Sequence, residues 1–167
     1  EFVGFTEEEV AVLCKQYGRN LSELKEWYDG YHFEKAKSIY SPRSVVTAVL
    51  TGICDSYWNR TETFEALRFY IDMNFEGLKD DVLSMLAGER IPVNTGTFSN
   101  DMTTFYSEDD VLTLLIHLGY LGYDFSYKEV FIPNSEVRGE YINAVAASQW
   151  GEVSKALKNS SDTLQAI

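Results

Sequence analysis

Hydrophobic residues recur along most of this chain at steps of three and four, the spacing that lays one apolar stripe along an α-helix. Val10, Leu13, Cys14 and Tyr17 form the first stripe. Thr6 and Glu9 in front of it make a capping box, and Gly18 stops it. Asn20 with Glu23 opens a second helix carrying Leu21, Leu24, Trp27 and Tyr28, closed by Gly30 and paired antiparallel with the first. After Tyr31-His32-Phe33 and a charged turn at Glu34 to Lys37, Ser41-Pro42 starts a third helix with Val45, Val46, Val49 and Leu50 as its apolar face. Thr61 caps a fourth, with Phe64, Leu67 and Ile71 inward. Leu78, Val82, Met85 and Leu86 mark a fifth that ends at Gly88.

From Arg90 to Thr104 the pattern changes to Pro, Gly, Asn and Thr, predicting a short strand at Ile91 to Asn94 and then a loop. Ser107 caps a sixth helix on Val111, Leu112, Leu115 and Leu118, with Glu108, Asp109 and Asp110 at the positive end of its dipole. Two β-prone runs, Tyr120 to Phe125 and Lys128 to Ile132, follow as a hairpin around Ser126-Tyr127. Asn134 caps another helix through Val137, Tyr141, Ile142 and Val145, and a last amphipathic piece holds Trp150, Val153 and Leu157. The predicted architecture is mainly α, a helical bundle followed by a winged-helix-like unit with a small β-hairpin. It divides into a helical lid-like part at 1–90, a winged-helix-like part at 91–148 and a helical linker at 149–167.

The 167 residues are 45% hydrophobic and 14% aromatic, enough for a packed core, and the formal charge is -12. That charge opposes nucleic-acid binding, because affinity for polyphosphate comes mainly from neutralised phosphates and the 14 Lys and Arg are scattered. No apolar run reaches the ~18 residues of a membrane span, and no basic-then-apolar leader opens the sequence. A cytoplasmic protein with two buried thiols, Cys14 and Cys54, is expected.

No constellation of catalytic residues emerges. His32 and His117 lack metal-ligand companions, and His117 falls within the sixth helix as an interior or boundary residue. The pairs Asp80-Asp81 and Asp109-Asp110 sit in first turns, where the helix dipole accounts for them. Neither cysteine has an activating histidine, and no G-x-S-x-G, G-x-G-x-x-G or G-x-x-x-x-G-K-[ST] loop is present. The aromatic density of Trp27, Tyr28, Tyr31, Phe33 and Tyr40 around Asp29-Gly30 reads first as a helix end packed by core aromatics. Asp29 is suited to pairing an arginine. Arg138, near the start of its helix, is expected to pair with Glu136, Glu140 or Asp124, or to reach across an interface.

Phe5-Thr6-Glu7-Glu8-Glu9-Val10, Trp27-Tyr28-Asp29-Gly30-Tyr31, Ile39-Tyr40-Ser41-Pro42, the His117-Leu118-Gly119-Tyr120-Leu121 core and Ile132-Pro133-Asn134-Ser135-Glu136-Val137-Arg138 together resemble a bacterial AAA-ATPase-like family. Its members are often fused to a PD-(D/E)xK nuclease-like domain. Family members carry N-P-W-S where this chain has Ser41-Pro42-Arg43-Ser44, which exchanges an aromatic residue for a charge. The resemblance implies a region behind a P-loop core, so the chain is expected to be an excised C-terminal piece of an ATPase. It implies a non-catalytic lid and coupling role, with ATP and Mg belonging to the parent protein and no cofactor in this piece. The expected partners are the upstream core and a possible downstream nuclease-like domain. Trp27, Tyr28, Asp29, Tyr31, Arg43 and Arg138 are then the candidates for an interface or for positions near the nucleotide. The alternative is a binding module of winged-helix type for a protein partner, with DNA a weaker choice.

Overall fold

The computed structural model describes residues 4–33, 36–57, 62–73, 75, 77–98 and 105–147. Thr61, the Glu34-Lys35 part of the charged turn and the stripe of Trp150, Val153 and Leu157 lie outside them. The described chain is mainly helical, with two small three-stranded antiparallel sheets. No helix among the described residues is long and apolar enough to cross a membrane.

α1 (Glu7–Tyr17) starts as predicted. Thr6 Oγ1 accepts from Glu9 N–H while Glu9 Oε2 accepts from Thr6 N–H, and Gly18 ends the helix at φ 65°. Such a cap contributes about 1 kcal/mol. α2 (Leu21–Tyr28) is capped by Asn20, whose Oδ1 accepts from Ser22 and Glu23 N–H. It ends at Asp29, one residue before the expected glycine. Lys25 near the end of α2 reaches Glu7 at the start of α1 (3.0 Å), as antiparallel neighbours do.

The first sheet departs from expectation. β2 (Tyr31–Phe33) and β3 (Ala36–Tyr40) form a hairpin where only a turn was predicted, and β1 (Phe5–Thr6) joins it, giving the order β1-β3-β2. Phe5 pairs with Tyr40 and Thr6 with Ile39. α3 (Pro42–Thr51) begins with proline in its first turn, where the missing N–H costs nothing. Its buried face is Ser44, Val45, Ala48 and Val49, whereas the predicted core residues Val46 and Leu50 lie exposed. Val10, Cys14, Leu24, Tyr28, Tyr40, Val45, Ala48 and Val49 make the first core.

α4 (Glu62–Met73) and α5 (Leu78–Leu86) face the second core, with Leu67, Ile71, Leu78, Val82, Met85 and Leu86 all buried as predicted. β4 (Ile91–Pro92) leads to a single 3-10 turn at Thr95–Thr97. α6 (Glu108–His117) then feeds β5 (Gly122–Asp124) and β6 (Glu129–Phe131), and the second sheet has the order β4-β6-β5. The β5–β6 connection is four residues rather than two. Asp124 Oδ1 accepts from Tyr127 and Ser126 N–H (3.1 and 2.9 Å), and Lys128 closes the turn at φ 55°. Those amides, with Arg90 (2.9 Å), hold the Asp124 carboxyl below its usual range.

α7 (Ser135–Ala147) completes the chain as described. The two cores meet in sequence between Tyr57 and Leu67, so α4 and α5 pack with the residues beyond the compositional break at Arg90 rather than with α1 to α3.

Candidate functional site

α7 is buried on two sides, which explains why its polar and apolar positions do not form one clean stripe. Val137, Tyr141, Ala144 and Val145 enter the second core, while Glu136 and Glu140, each 1% exposed, meet the end of the first unit. The two carboxylates stand four residues apart on neighbouring turns. Glu136 Oε1 accepts from Ser44 Oγ (2.8 Å) and from the backbone N–H of Tyr57 (2.9 Å). Ser44 Oγ also contacts Ser41 Oγ at 3.2 Å, so a short hydroxyl chain runs from the carboxylate to the start of α3. Glu140 Oε1 accepts from Ser56 Oγ, and its Oε2 has no hydrogen-bond partner.

Burial pushes the Glu136 carboxyl up to about 7. Nearby Glu140 acts in the same direction, against the Tyr57 and Ser44 hydrogen bonds and the field of Arg43. Glu140 is raised as well, by burial first and by Asp55. Neither carboxylate forms an ion pair among the described residues.

Beside them the seam continues through Asn134. Its Oδ1 caps α7 by accepting from Val137 N–H (3.0 Å), and its Nδ2 donates to Asp29 O at the end of α2 (2.8 Å). One amide thus ties two helix ends together. Tyr31 Oη donates to Gly119 O (2.8 Å), linking β2 to the end of α6. Gly30, at φ 112°, lies so close to Pro133 that a Cβ there would fall 2.1 Å from the proline carbonyl oxygen. Only glycine fits that approach.

The sequence candidates separate into different places. Tyr28 is fully buried and exchanges two hydrogen bonds with the Asp55 backbone, each 3.0 Å. Trp27 is half-buried and tilts against it, with ring centroids 6.3 Å apart. These two are core aromatics. Asp29 is 7% exposed and accepts from Ser38 Oγ (2.8 Å) rather than from an arginine. Its Oδ1 is unpartnered, as are the hydroxyls of Tyr40 and Tyr141. Arg43 is exposed at the start of α3. Arg138 is also exposed and donates to Leu86 O, a free carbonyl at the end of α5, instead of pairing with an acid. The expected acids are engaged elsewhere: Asp124 holds Arg90, and Glu136 and Glu140 are buried against the first unit.

His117 is exposed at the end of α6 beside Phe98 (5.7 Å between rings), not interior. Asp110 does more than complement a dipole. At 2% exposed it accepts from Tyr106 N–H (2.8 Å) and Thr97 Oγ1 (3.3 Å), joining both residues to the first turn of α6. Burial raises both thiols, so Cys14 and Cys54 hold their protons rather than acting as thiolates; Cys14 is buried and Cys54 half-buried. No group of three or more metal-ligating side chains occurs among the described residues.

Glu136, Glu140, Ser44 and Ser56 were missed as a group by the sequence reading. Their one local signal is the pair of acids a turn apart on a helix with apolar residues on nearly every other side, which marks a helix packed on two faces. Comparison with protein-family models, with curated proteins and with solved structures finds no match to this chain.

Proposed function

We propose that this chain is the lid and coupling region of a cytoplasmic AAA-ATPase-like protein, passing the nucleotide state of an upstream P-loop core into movement of its two packed units. The observation that carries this reading is the seam at α7: the units pack through hydrogen bonds and two buried carboxylates without an ion-pair partner among the described residues. Buried carboxylates repay little of their desolvation in such a joint. A joint of that kind contributes little net free energy, so it is the place where a modest differential contact from the core would move one unit against the other. The strand order β4-β6-β5 around α6 supports a winged-helix-like identity for the second unit. ATP and Mg are assigned to the parent core, and a downstream nuclease-like domain is a further partner in the same chain.

The test measures steady-state ATPase activity of the separately produced P-loop half with increasing amounts of this chain. A saturating rise is expected. No change, with both halves folded, sinks the coupling role.

A protein-binding module is the second reading. It is favoured by Phe125 (59% exposed) and Tyr127 (74%) at the tip of the β5–β6 hairpin. DNA is the weaker ligand. α6 carries Glu108, Asp109 and Asp110 and no Lys or Arg, and burial together with Glu108, Asp109 and Asp80 raises Asp81 nearby.

A further inference from the structure

Glu140 Oε2 is a buried oxygen without a hydrogen-bond partner, and it lies where the two units join. Glu140 and Glu136 stand one turn apart on α7, and hardly any of either residue reaches solvent. Between them they accept from Ser44 Oγ, Ser56 Oγ and Tyr57 N–H, all neutral donors. Three such bonds do not replace the solvation that two carboxylates lose on burial. The joint is therefore favourable when the two groups carry protons and costly when they carry charge.

The groups around the pair deepen that imbalance. Asp55, on the segment after α3, adds like charge beside Glu140, as the two glutamates do for each other. α2 supplies the Tyr28 phenol and β2 the Tyr31 phenol, each raised above the usual tyrosine range by burial and then by Glu136 among others. Arg43, exposed in the first turn of α3, reaches Glu136 by its field but pairs with neither carboxylate. Arg138 on α7 turns to Leu86 O, Arg68 on α4 pairs with Asp72 (3.8 Å), and Asp80 and Asp81 of α5 gather with Glu108 and Asp109. The rest of the joint is uncharged: Asn134 Nδ2 donates to Asp29 O, Tyr31 Oη donates to Gly119 O, and Gly30 backs onto Pro133.

We infer that the joint is a proton-operated latch. With Glu136 and Glu140 protonated it is closed; when they ionise, the segment at Ser56-Tyr57 parts from α7 while Gly30, Pro133 and Asn134 hold as the pivot. The inference rests on the coupling role proposed above and adds its regulator, the proton. In the closed joint burial holds the Glu136 carboxyl up to about 7, against about 4.3 for a solvated glutamate. Closed, the joint binds the extra protons, so opening follows as pH rises through about 7. Glu140 is raised in the same direction, by burial first and by Asp55, and the two ionisations reinforce each other.

The chain labelled with 15N is followed between pH 5.5 and 8.5 by amide hydrogen exchange, corrected for intrinsic base catalysis, and by small-angle X-ray scattering. Tyr57 N–H, which donates to Glu136, should lose protection about ten-fold or more as the pH rises, with an increase in radius of gyration. Amides of Val45 and Val49 in the first core, Leu112 and Leu115 in the second, and Val137 at the Asn134 cap should keep theirs. The double variant Glu136→Gln/Glu140→Gln should stay closed throughout; if it does not fold, the wild-type titration decides alone. Unchanged Tyr57 protection, loss from both cores at the same pH, or an unaltered pH response in the double variant overturns the latch. Latch and coupling fail separately. Equal stimulation of the P-loop half at pH 6.5 and 8.5 overturns the latch and spares the coupling role. The expected exchange pattern with no stimulation at either pH supports the latch and removes the coupling role.

Discussion

In the second core Leu67, Ile71, Leu112 and Leu115 have no exposed surface, and the helix that closes it contributes Val137, Tyr141 and Val145. One turn away the same helix presents Glu136 and Glu140 to Ser44, Tyr57 and Ser56 of the other unit. Interior apolar packing is non-directional and gains in proportion to the area removed from water. The seam instead depends on a few directed bonds between groups that are expensive to bury. The cores should therefore set whether each unit folds, and the seam should set how firmly the units hold each other.

The sharpest way to break that contrast is Gly30→Ala. The new Cβ has no space against Pro133 O, and the backbone is in a conformation that alanine avoids. A loss of about 3 kcal/mol or more is expected. Because Gly30 lies at the seam, urea unfolding should split into two transitions while the second core stays protected in hydrogen exchange. One cooperative transition with uniform loss of protection would show that seam and cores are a single unit.

Glu136→Gln probes the same joint more gently. The folded carboxyl is raised to about 7 while the unfolded one titrates near about 4.3, so between those values the folded chain binds more protons. Stability from this group is present in acid and is lost as pH rises through about 7, a swing on the order of 3 kcal/mol. Glu140 acts in the same sense. Urea unfolding at pH 5.5 and 8.5 should show the wild-type chain more stable at the lower pH. Glu136→Gln should lose most of that difference, and an unchanged slope in the variant would mean the proton sits elsewhere.

The smallest effect is expected inside the second core. The Tyr141 hydroxyl is buried without a partner, and burial raises its pKa well above the usual tyrosine value. Tyr141→Phe removes a polar atom that gains nothing from its surroundings, so the variant should be neutral or more stable by up to about 1 kcal/mol. A clear loss in thermal unfolding would reveal a hydrogen bond to that hydroxyl in solution.

What could be read from sequence follows the range over which each feature is encoded. The Thr6–Glu9 box, the Asn20 and Asn134 caps and the stripes of α5 and α6 are fixed by residues within a few positions of one another. Helix bonds close over four residues, so short windows suffice. The first sheet was not legible, because β1 is two residues long and pairs with a strand about thirty-five positions later. Two residues carry no period.

The same limit explains the error at α3. Val45, Val46, Val49 and Leu50 are consistent with more than one helical face, and only the placement of α1 and α2 decides that Ala48 is inside and Leu50 outside. By itself, then, the sequence determined the caps that open α1, α2 and α7, the excess of acids over bases, and the lack of a nucleotide-binding motif in these residues. Tertiary structure alone brought Ser44 and Tyr57 to a carboxylate 92 and 79 positions away and buried it between two cores. The free energy of a charged group depends on what surrounds it, and its neighbours in sequence do not supply those surroundings.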